Sequence, residues 1–203
     1  MRLRDSVKVI AVLAALLPAL LIGGCSSGSY SKTLDGDYRA EYDSTYILEN
    51  IFEQEGYEVE AEGVIITPYR LSVKEGKFTL EMDLEGYEKS FTEYLDKNID
   101  KITDAMVISY GFGDDDESKE EFIGYTTFDT FDEFKEYMKA DFIATMGFDS
   151  MTPQTKTGNL TSSGCNIKFK TDEDYEFSGL INDDGTITVE GADVSPLEFS
   201  RAG

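Results

Sequence analysis

Histidine and tryptophan are absent from this sequence of 203 residues, which also has only two cysteines and four prolines. Without histidine, the chain has no Ser-His-Asp triad, no Cys-His pair, no zinc site of the H-E-x-x-H type and no histidine acid–base catalysis. Two cysteines are too few for a cysteine-built zinc site. The phosphate-binding patterns G-x-x-x-x-G-K-S/T and G-x-G-x-x-G are also missing. These absences predict a protein that is not an enzyme and that has no cofactor.

Basic residues are scarce: 18 lysines and arginines accompany 41 acidic residues, and the formal net charge at pH 7 is −23. Such a field repels nucleic acid and anionic lipid headgroups, so we exclude a role in nucleic-acid binding. The many carboxylates leave a carboxylate-pair glycosidase open by residue type, but without geometry no pair stands out. Apolar residues make up 40% of the chain and aromatic residues 12%, which is typical of a chain that folds around a core.

The first 24 residues have the organisation of a secretory signal. A basic start is followed by an apolar run over residues 9–22, which is interrupted only by Pro18 and is shorter than the roughly 20 residues that span a bilayer. Small residues then lead to Cys25, and a polar Ser/Gly tether occupies residues 25–33. The basic residues of the start are Arg2, Arg4 and Lys8.

The end of this signal, Leu21-Ile22-Gly23-Gly24-Cys25, resembles the lipobox of bacterial lipoproteins. The resemblance implies cleavage between Gly24 and Cys25 and attachment of lipid to the sulfur of Cys25. The protein would then be held at the extracytoplasmic face of the cell membrane through this lipid.

Alternating apolar residues predict strands, of which the clearest carries Phe78, Leu80 and Met82 on one face. Pro68 lies inside another predicted strand and suits an edge position or a bulge there. The predicted strands cover residues 36–42, 63–73, 78–84, 166–170, 175–181, 186–190 and 197–200.

The middle of the chain has the three–four period of helices. Asp43 or Ser44 is expected to cap a short helix that stops at Gly56. Two capping boxes, which start at Ser90 and Thr130, predict longer helices over residues 91–109 and 131–146. Their apolar stripes favour a role in the core, and a gate over a ligand is the alternative. The stripes consist of Phe91, Leu95, Ile99 and Ile102 on one helix and of Phe131, Phe134, Met138 and Phe142 on the other.

Two further features have competing interpretations. The acidic run over residues 114–117 offers oxygen ligands for calcium, but the spacing of an EF-hand is missing, so we predict a solvated loop and no metal site. Cys165 shares the parity of Ile167 and Phe169, which predicts a small hydrophobic side chain in the core. A reactive thiol is the alternative, although no histidine is present to act as its base.

The two ends of the strand-rich region resemble lipocalin-like domains. Leu34-x-Gly36-x-Tyr38 is similar to the start of their first strand, where Gly-x-Trp is usual and Tyr38 here takes the tryptophan position. The segments 181–189 and 197–201 are similar to the last strands of small bacterial lipocalin-like lipoproteins. The resemblance implies one α+β, mostly β domain over residues 34–203: a small antiparallel barrel or curled sheet with a two-helix insertion at about 88–150.

Two functional hypotheses follow. The first is a non-enzymatic binding module whose barrel holds a small apolar ligand. The second is an envelope structural or interaction protein that has a filled barrel and binds another protein, whose identity the sequence does not give, through its acidic surface. Bulky residues at inward positions are compatible with both. The residues expected to line a ligand site in the barrel are Tyr38, Tyr42, Phe78, Leu80, Met82, Phe169 and Phe177.

Overall fold

A computed structural model describes residues 32–192 and 196–202 of the chain. This part contains eight strands and four α-helices, with short 3-10 turns at Lys32–Leu34 and Phe148–Ser150. The strands are β1 (Gly36–Asp43), β2 (Ile66–Lys74), β3 (Lys77–Met82), β4 (Thr155–Ser163), β5 (Asn166–Thr171), β6 (Glu176–Ile181), β7 (Ile187–Glu190) and β8 (Leu197–Arg201). The helices are α1 (Thr45–Glu55), α2 (Leu84–Ser109), α3 (Asp116–Ile123) and α4 (Phe131–Met146).

The eight strands form a closed antiparallel barrel in which each strand pairs with its neighbours in sequence and β1 pairs with β8. The closing pair places Tyr38 opposite Arg201. The Arg201 guanidinium lies 5.4 Å from the centroid of the Tyr38 ring and donates a hydrogen bond of 3.1 Å to the Tyr38 hydroxyl. The predicted barrel and the predicted pairing of the first and last strands are therefore confirmed.

Side chains fill the interior of the barrel. Inward residues alternate with exposed ones along the strands, as half-buried strands require. The ring of Phe169 stacks on Phe177 with centroids 4.7 Å apart, and Phe78 meets Phe169 edge-on at 5.1 Å. The core of the barrel consists of Leu34, Tyr38, Ala40, Leu71, Val73, Phe78, Leu80, Leu160, Ile167, Phe169, Phe177, Ile187, Val189, Leu197 and Phe199.

The helices form a second layer with its own core. Helix α1 lies between β1 and β2 in sequence, and α2, α3 and α4 lie between β3 and β4. The predicted two-helix insertion is therefore not confirmed, because three α-helices occupy this connection. The buried residues of the layer are Leu48, Phe52, Ile65, Tyr87, Phe91, Tyr94, Leu95, Ile102, Met106, Val107, Phe122, Ile123, Phe134 and Phe148.

Helix α2 begins earlier than its predicted capping box. The Asp83 carboxylate accepts a hydrogen bond from the Gly86 N–H at 3.2 Å and so caps the helix one residue before Leu84. Ser90 therefore lies inside α2, where its hydroxyl accepts a hydrogen bond from the Ile66 N–H at 2.8 Å. The predicted cap at Ser90 is wrong because a carboxylate at residue 83 caps the helix first.

The start of α2 lies against β2. The Asp83 N–H donates to the Pro68 carbonyl at 2.8 Å, and a Cβ added to Gly86 would stand 2.9 Å from Pro68 Cγ. Strand β2 runs through Pro68 without a break, and its pairing with β3 begins only at Tyr69.

Among the described helices, none combines the length and apolar character needed to cross a membrane.

Two local predictions are corrected, and one strand was missed. Cys165 is exposed, not buried, because Gly164, with φ of 60°, and Cys165 form the turn between β4 and β5. The acidic run is not only a loop: Asp116 and Glu117 form the first turn of α3, and Asp115 caps it. Strand β4 was not predicted, because its inward residues include Gly158 and Ser162 and the apolar period is weak.

Candidate functional site

The predicted ligand-binding residues lie in the filled barrel or beside it. Tyr38, Phe78, Leu80, Phe169 and Phe177 are buried members of the barrel core. Tyr42 is partly buried against that core, whereas Met82 packs against the helical core instead. The structure therefore does not bring the seven residues together around one space.

The predicted lipid attachment site at Cys25 and the cleavage site between Gly24 and Cys25 lie outside the described residues. The same holds for the signal over residues 1–24 and for most of the tether over residues 25–33. These predictions rest on the sequence.

The helical layer carries an apolar groove with a volume of about 630 Å³, which we call the aromatic groove. It lies where the end of α2, helix α3 and the first half of α4 meet. Five of its eight lining residues are aromatic and two are methionines. They are Met106, Tyr110, Phe112, Phe122, Tyr125, Thr126, Phe134 and Met138.

Helical spacing and one glycine position these side chains. Met106 lies in the last turn of α2 and Tyr110, the residue after the helix, donates its N–H to the Met106 carbonyl at 3.2 Å. Phe134 and Met138 are four residues apart on α4 and so lie on one face of it. The chain leaves α2 at Gly111, whose φ of 90° suits a residue without Cβ.

Side-chain caps fix the two helices that follow. The Asp115 carboxylate accepts a hydrogen bond from the Ser118 N–H at 2.9 Å, and the Ser118 N–H and hydroxyl together lower the pKa of Asp115. The Thr130 hydroxyl accepts from the Glu133 N–H at 3.2 Å, so the predicted cap at Thr130 is confirmed. The Glu133 carboxylate accepts from the Asp129 N–H at 3.0 Å and not from the N–H of Thr130, as a complete capping box would require.

The aromatic rings of the groove contact one another in a chain. Phe122 is central: its ring centroid lies 5.9 Å from that of Tyr110, 5.6 Å from Phe112 and 5.2 Å from Phe134. Phe112 also lies 5.8 Å from Tyr125. Offset and edge-to-face contacts of this kind stabilise aromatic clusters, so the walls of the groove are held in place by their own packing.

The outer rings of the groove remain largely open to solvent. Tyr110 is 64% exposed and Tyr125 is 76% exposed. Large apolar side chains that gather at one surface are typical of a binding site.

A second groove, lined mainly by charged residues, adjoins the aromatic groove and shares Thr126 with it. We call it the acidic groove. The ring centroids of Phe131 and Phe134 lie 5.7 Å apart, so the walls of the two grooves are in contact. Its lining has the six carboxylates of Asp100, Asp104, Asp116, Glu120, Asp129 and Asp132, and the two ammonium groups of Lys119 and Lys135.

Both lysines of the acidic groove already have carboxylate partners. Lys119 lies 2.7 Å from Asp104, and Lys135 lies 3.1 Å from Asp100 and 2.8 Å from Asp132. The hydrogen bonds with Asp132 and Asp100 raise the pKa of Lys135. Both ammonium groups also stand within 6 Å of the Phe131 ring.

The side chains around the aromatic groove are mainly aromatic rings and thioethers. Burial, together with the nearby Tyr110, raises the pKa of Tyr57, so this phenol stays neutral at physiological pH. Within residues 32–192 and 196–202, no three side chains of metal-ligating type converge. What the aromatic groove offers is apolar contact area, two polarisable thioethers and a neighbouring field of carboxylates.

Sequence reasoning named part of this groove in another role. Phe134 and Met138 belong to the predicted stripe of α4, but Met106, Tyr110, Phe112, Phe122 and Tyr125 were not proposed as site residues. The sequence feature that points to them is the high density of aromatic residues in this segment, since seven lie from position 110 to position 134.

No protein-family model matches the chain, and neither a curated protein nor a solved structure matches it. The functional argument therefore rests on the groove, its surroundings and the sequence of the first 33 residues.

Proposed function

We propose that this chain is a lipid-anchored, extracytoplasmic lipoprotein that binds a small apolar ligand without chemical change. The ligand site is the aromatic groove, and the barrel is the scaffold that carries the helical layer. The observation behind this proposal is the cluster of partly exposed rings and methionines around a volume of about 630 Å³.

The dimensions and composition of the groove suit a small molecule. Pockets of roughly 300–1,000 Å³, lined mostly by apolar and aromatic side chains, hold drug-sized ligands. Flat rings supply large contact area at little cost in conformational entropy, and methionine side chains adapt to irregular shapes. Met106 and Met138 thus complement the fixed rings of Phe122 and Phe134.

The barrel is proposed to be lipocalin-like. Its closed order of eight antiparallel strands supports this, as does the contact between the two segments that carry the resemblance. Arg201 of the last strand lies over the ring of Tyr38 in the first. Because bulky side chains fill the barrel, the proposal places the ligand in the helical layer and not in the barrel interior.

The lipid anchor is proposed on the sequence that ends at Cys25. A formal net charge of −23 keeps the folded part away from anionic headgroups, so attachment falls to the lipid. Replacing Cys25 with Ala should abolish incorporation of a labelled fatty acid and leave the protein uncleaved or shed. Labelling that persists in this variant would contradict the anchor.

A second candidate function is an envelope interaction protein that binds another protein through its acidic surface. The filled barrel core favours it, since a barrel packed in this way serves as structure. This candidate does not require the aromatic groove to take up a small molecule.

Titration with the neutral apolar dye N-phenylnaphthylamine separates the two. The full chain is reconstituted in phosphatidylcholine nanodiscs, with empty nanodiscs as the blank. We expect a saturable rise in dye fluorescence with the parent protein. The affinity for the dye should fall on the order of tenfold in Tyr110→Ala/Tyr125→Ala, because the contact area of two tyrosine rings is lost. Tyr46→Ala, which removes a half-exposed tyrosine from α1, is the matched control and should leave binding unchanged. Equal binding in both variants would contradict the proposed site.

A further inference from the structure

The acidic groove contains three carboxylates that lack a cation. Asp104, Asp100 and Asp132 are paired with the two lysines. Among the described residues, no ion pair involves Asp116, Glu120 or Asp129, although all three line the same groove. The groove thus presents uncompensated negative charge directly beside an apolar site.

We propose that the ligand of the aromatic groove is a lipophilic organic cation, whose apolar part contacts the aromatic rings and whose charge faces the acidic groove. This inference rests on the proposed function, because it specifies the chemical class of the ligand for that site. Charge complementarity selects this class over a neutral or anionic molecule of the same size.

The placement of the carboxylates matches an elongated amphiphile. Asp116 and Glu120 are four residues apart on α3 and lie on one face of it, and Asp129 precedes α4. Thr126 lines both grooves, so a molecule seated on Phe122 passes this residue to reach the carboxylates.

The aromatic rings add to the preference for a cation. The faces of Phe and Tyr rings attract cations through their quadrupoles. Tyr110 and Tyr125 are the most exposed of these rings. The lysines beside Phe131 are held by their carboxylates, so they do not cancel this attraction within the aromatic groove.

The test uses two probes of the same shape and opposite charge, tetraphenylphosphonium and tetraphenylborate, with N-phenylnaphthylamine as the neutral reference. The full chain in nanodiscs is compared with Asp116→Asn/Glu120→Gln/Asp129→Asn. The matched control, Glu41→Gln/Glu190→Gln/Glu198→Gln, removes the same number of charges from exposed positions of the barrel.

We expect the acidic-groove variant to bind tetraphenylphosphonium about tenfold more weakly, to bind tetraphenylborate more tightly and to bind the neutral dye unchanged. The barrel variant should match the parent for all three probes at about 0.15 M salt, where exposed charges beyond roughly 8 Å are screened.

Two results would overturn the inference and are distinguishable from failure of the proposed function. Equal loss of tetraphenylphosphonium binding in both variants, or no loss in either, refutes the cationic ligand while the neutral dye still reports the groove. If the neutral dye and both ions bind independently of Tyr110 and Tyr125, the aromatic groove itself is refuted as the site.

Discussion

The side-chain amide of Asn98, buried in α2, forms two hydrogen bonds with the backbone of Glu62. Its Oδ1 accepts from the Glu62 N–H at 2.7 Å, and its Nδ2 donates to the Glu62 carbonyl at 2.9 Å. Nδ2 also donates to the Tyr94 carbonyl at 2.8 Å within α2. Residues 57–65 have no helix or strand of their own, so this amide ties the segment to the helical layer.

Replacing Asn98 with Ala should lower the free energy of unfolding by about 1–3 kcal/mol, because backbone groups of Glu62 lose their partners at the surface of α2. Urea unfolding measures the loss. Lys101→Ala, which removes an exposed ion pair with Glu62 and a hydrogen bond to the Glu60 carbonyl, is the control and should cost less than Asn98→Ala. Losses of equal size in the two variants would contradict the structural role of the amide.

Phe134→Ala should lower the free energy of unfolding by about 3–5 kcal/mol. Phe134 is 5% exposed and contacts the rings of Phe122 and Phe128 at 5.2 Å and 5.6 Å. Because Phe134 also lines the aromatic groove, dye binding should weaken as well. A thermal melt beside that of Tyr137→Ala, an exposed neighbour expected to cost little, checks this. An unchanged melting temperature would show that the stripe of α4 is not core.

Gly158→Ala should destabilise the barrel by about 1–3 kcal/mol or more, because the added Cβ would stand 2.1 Å from the Lys170 carbonyl oxygen on β5. The pairing of β4 and β5 leaves no room for a side chain there. Asn159→Ala, at the next and exposed position, should be close to neutral. Denaturant unfolding that ranks the two variants equally would be evidence against the described register.

Acid should weaken the junction of β1 and α1 through Asp43. Hydrogen bonds from the side chain and the N–H of Thr45 lower the pKa of Asp43, and the N–H bond is 3.0 Å long. Because the folded pKa is lower than the unfolded pKa of about 4, this stabilisation is complete above pH ~4 and is lost as the pH falls through the folded value.

The Asp43→Asn variant keeps an acceptor at this position but removes its titration. The difference between melting temperatures at about pH 7 and about pH 3 should therefore be smaller in the variant than in the parent. Identical differences in the two proteins would rule out a contribution from Asp43.

The strand pattern of the sequence was sufficient where inward residues are large. Phe78 and Leu80 predicted β3, and the capping box at Thr130 predicted the start of α4. Strand β4 was missed because Gly158 and Ser162 occupy inward positions, and their burial depends on close approach of the neighbouring strand. The alternation of residues along one strand does not reveal how closely the neighbouring strand approaches it.

The candidate site was predictable only in part. Phe134 and Met138 follow a helical period, so their burial was expected. Tyr110 and Phe112 lie beyond the end of α2, and Phe122 lies on a helix of eight residues whose sequence is mostly charged. These residues come together only because the chain folds back between α2, α3 and α4. The spacing of apolar residues within one helix does not predict that folding.

Labelling of methionine methyl groups tests the central claim most directly, because Met106 and Met138 line the aromatic groove whereas Met82 and Met151 do not. The full chain, labelled with carbon-13 at these methyls, is titrated with N-phenylnaphthylamine and followed by NMR. We predict saturable shifts at Met106 and Met138 and little change at Met82 and Met151. In Tyr110→Ala/Tyr125→Ala, the shifts at Met106 and Met138 should need roughly tenfold more dye. Shifts confined to Met82, or none at Met106 and Met138 while the dye binds, would contradict a ligand site in the helical layer.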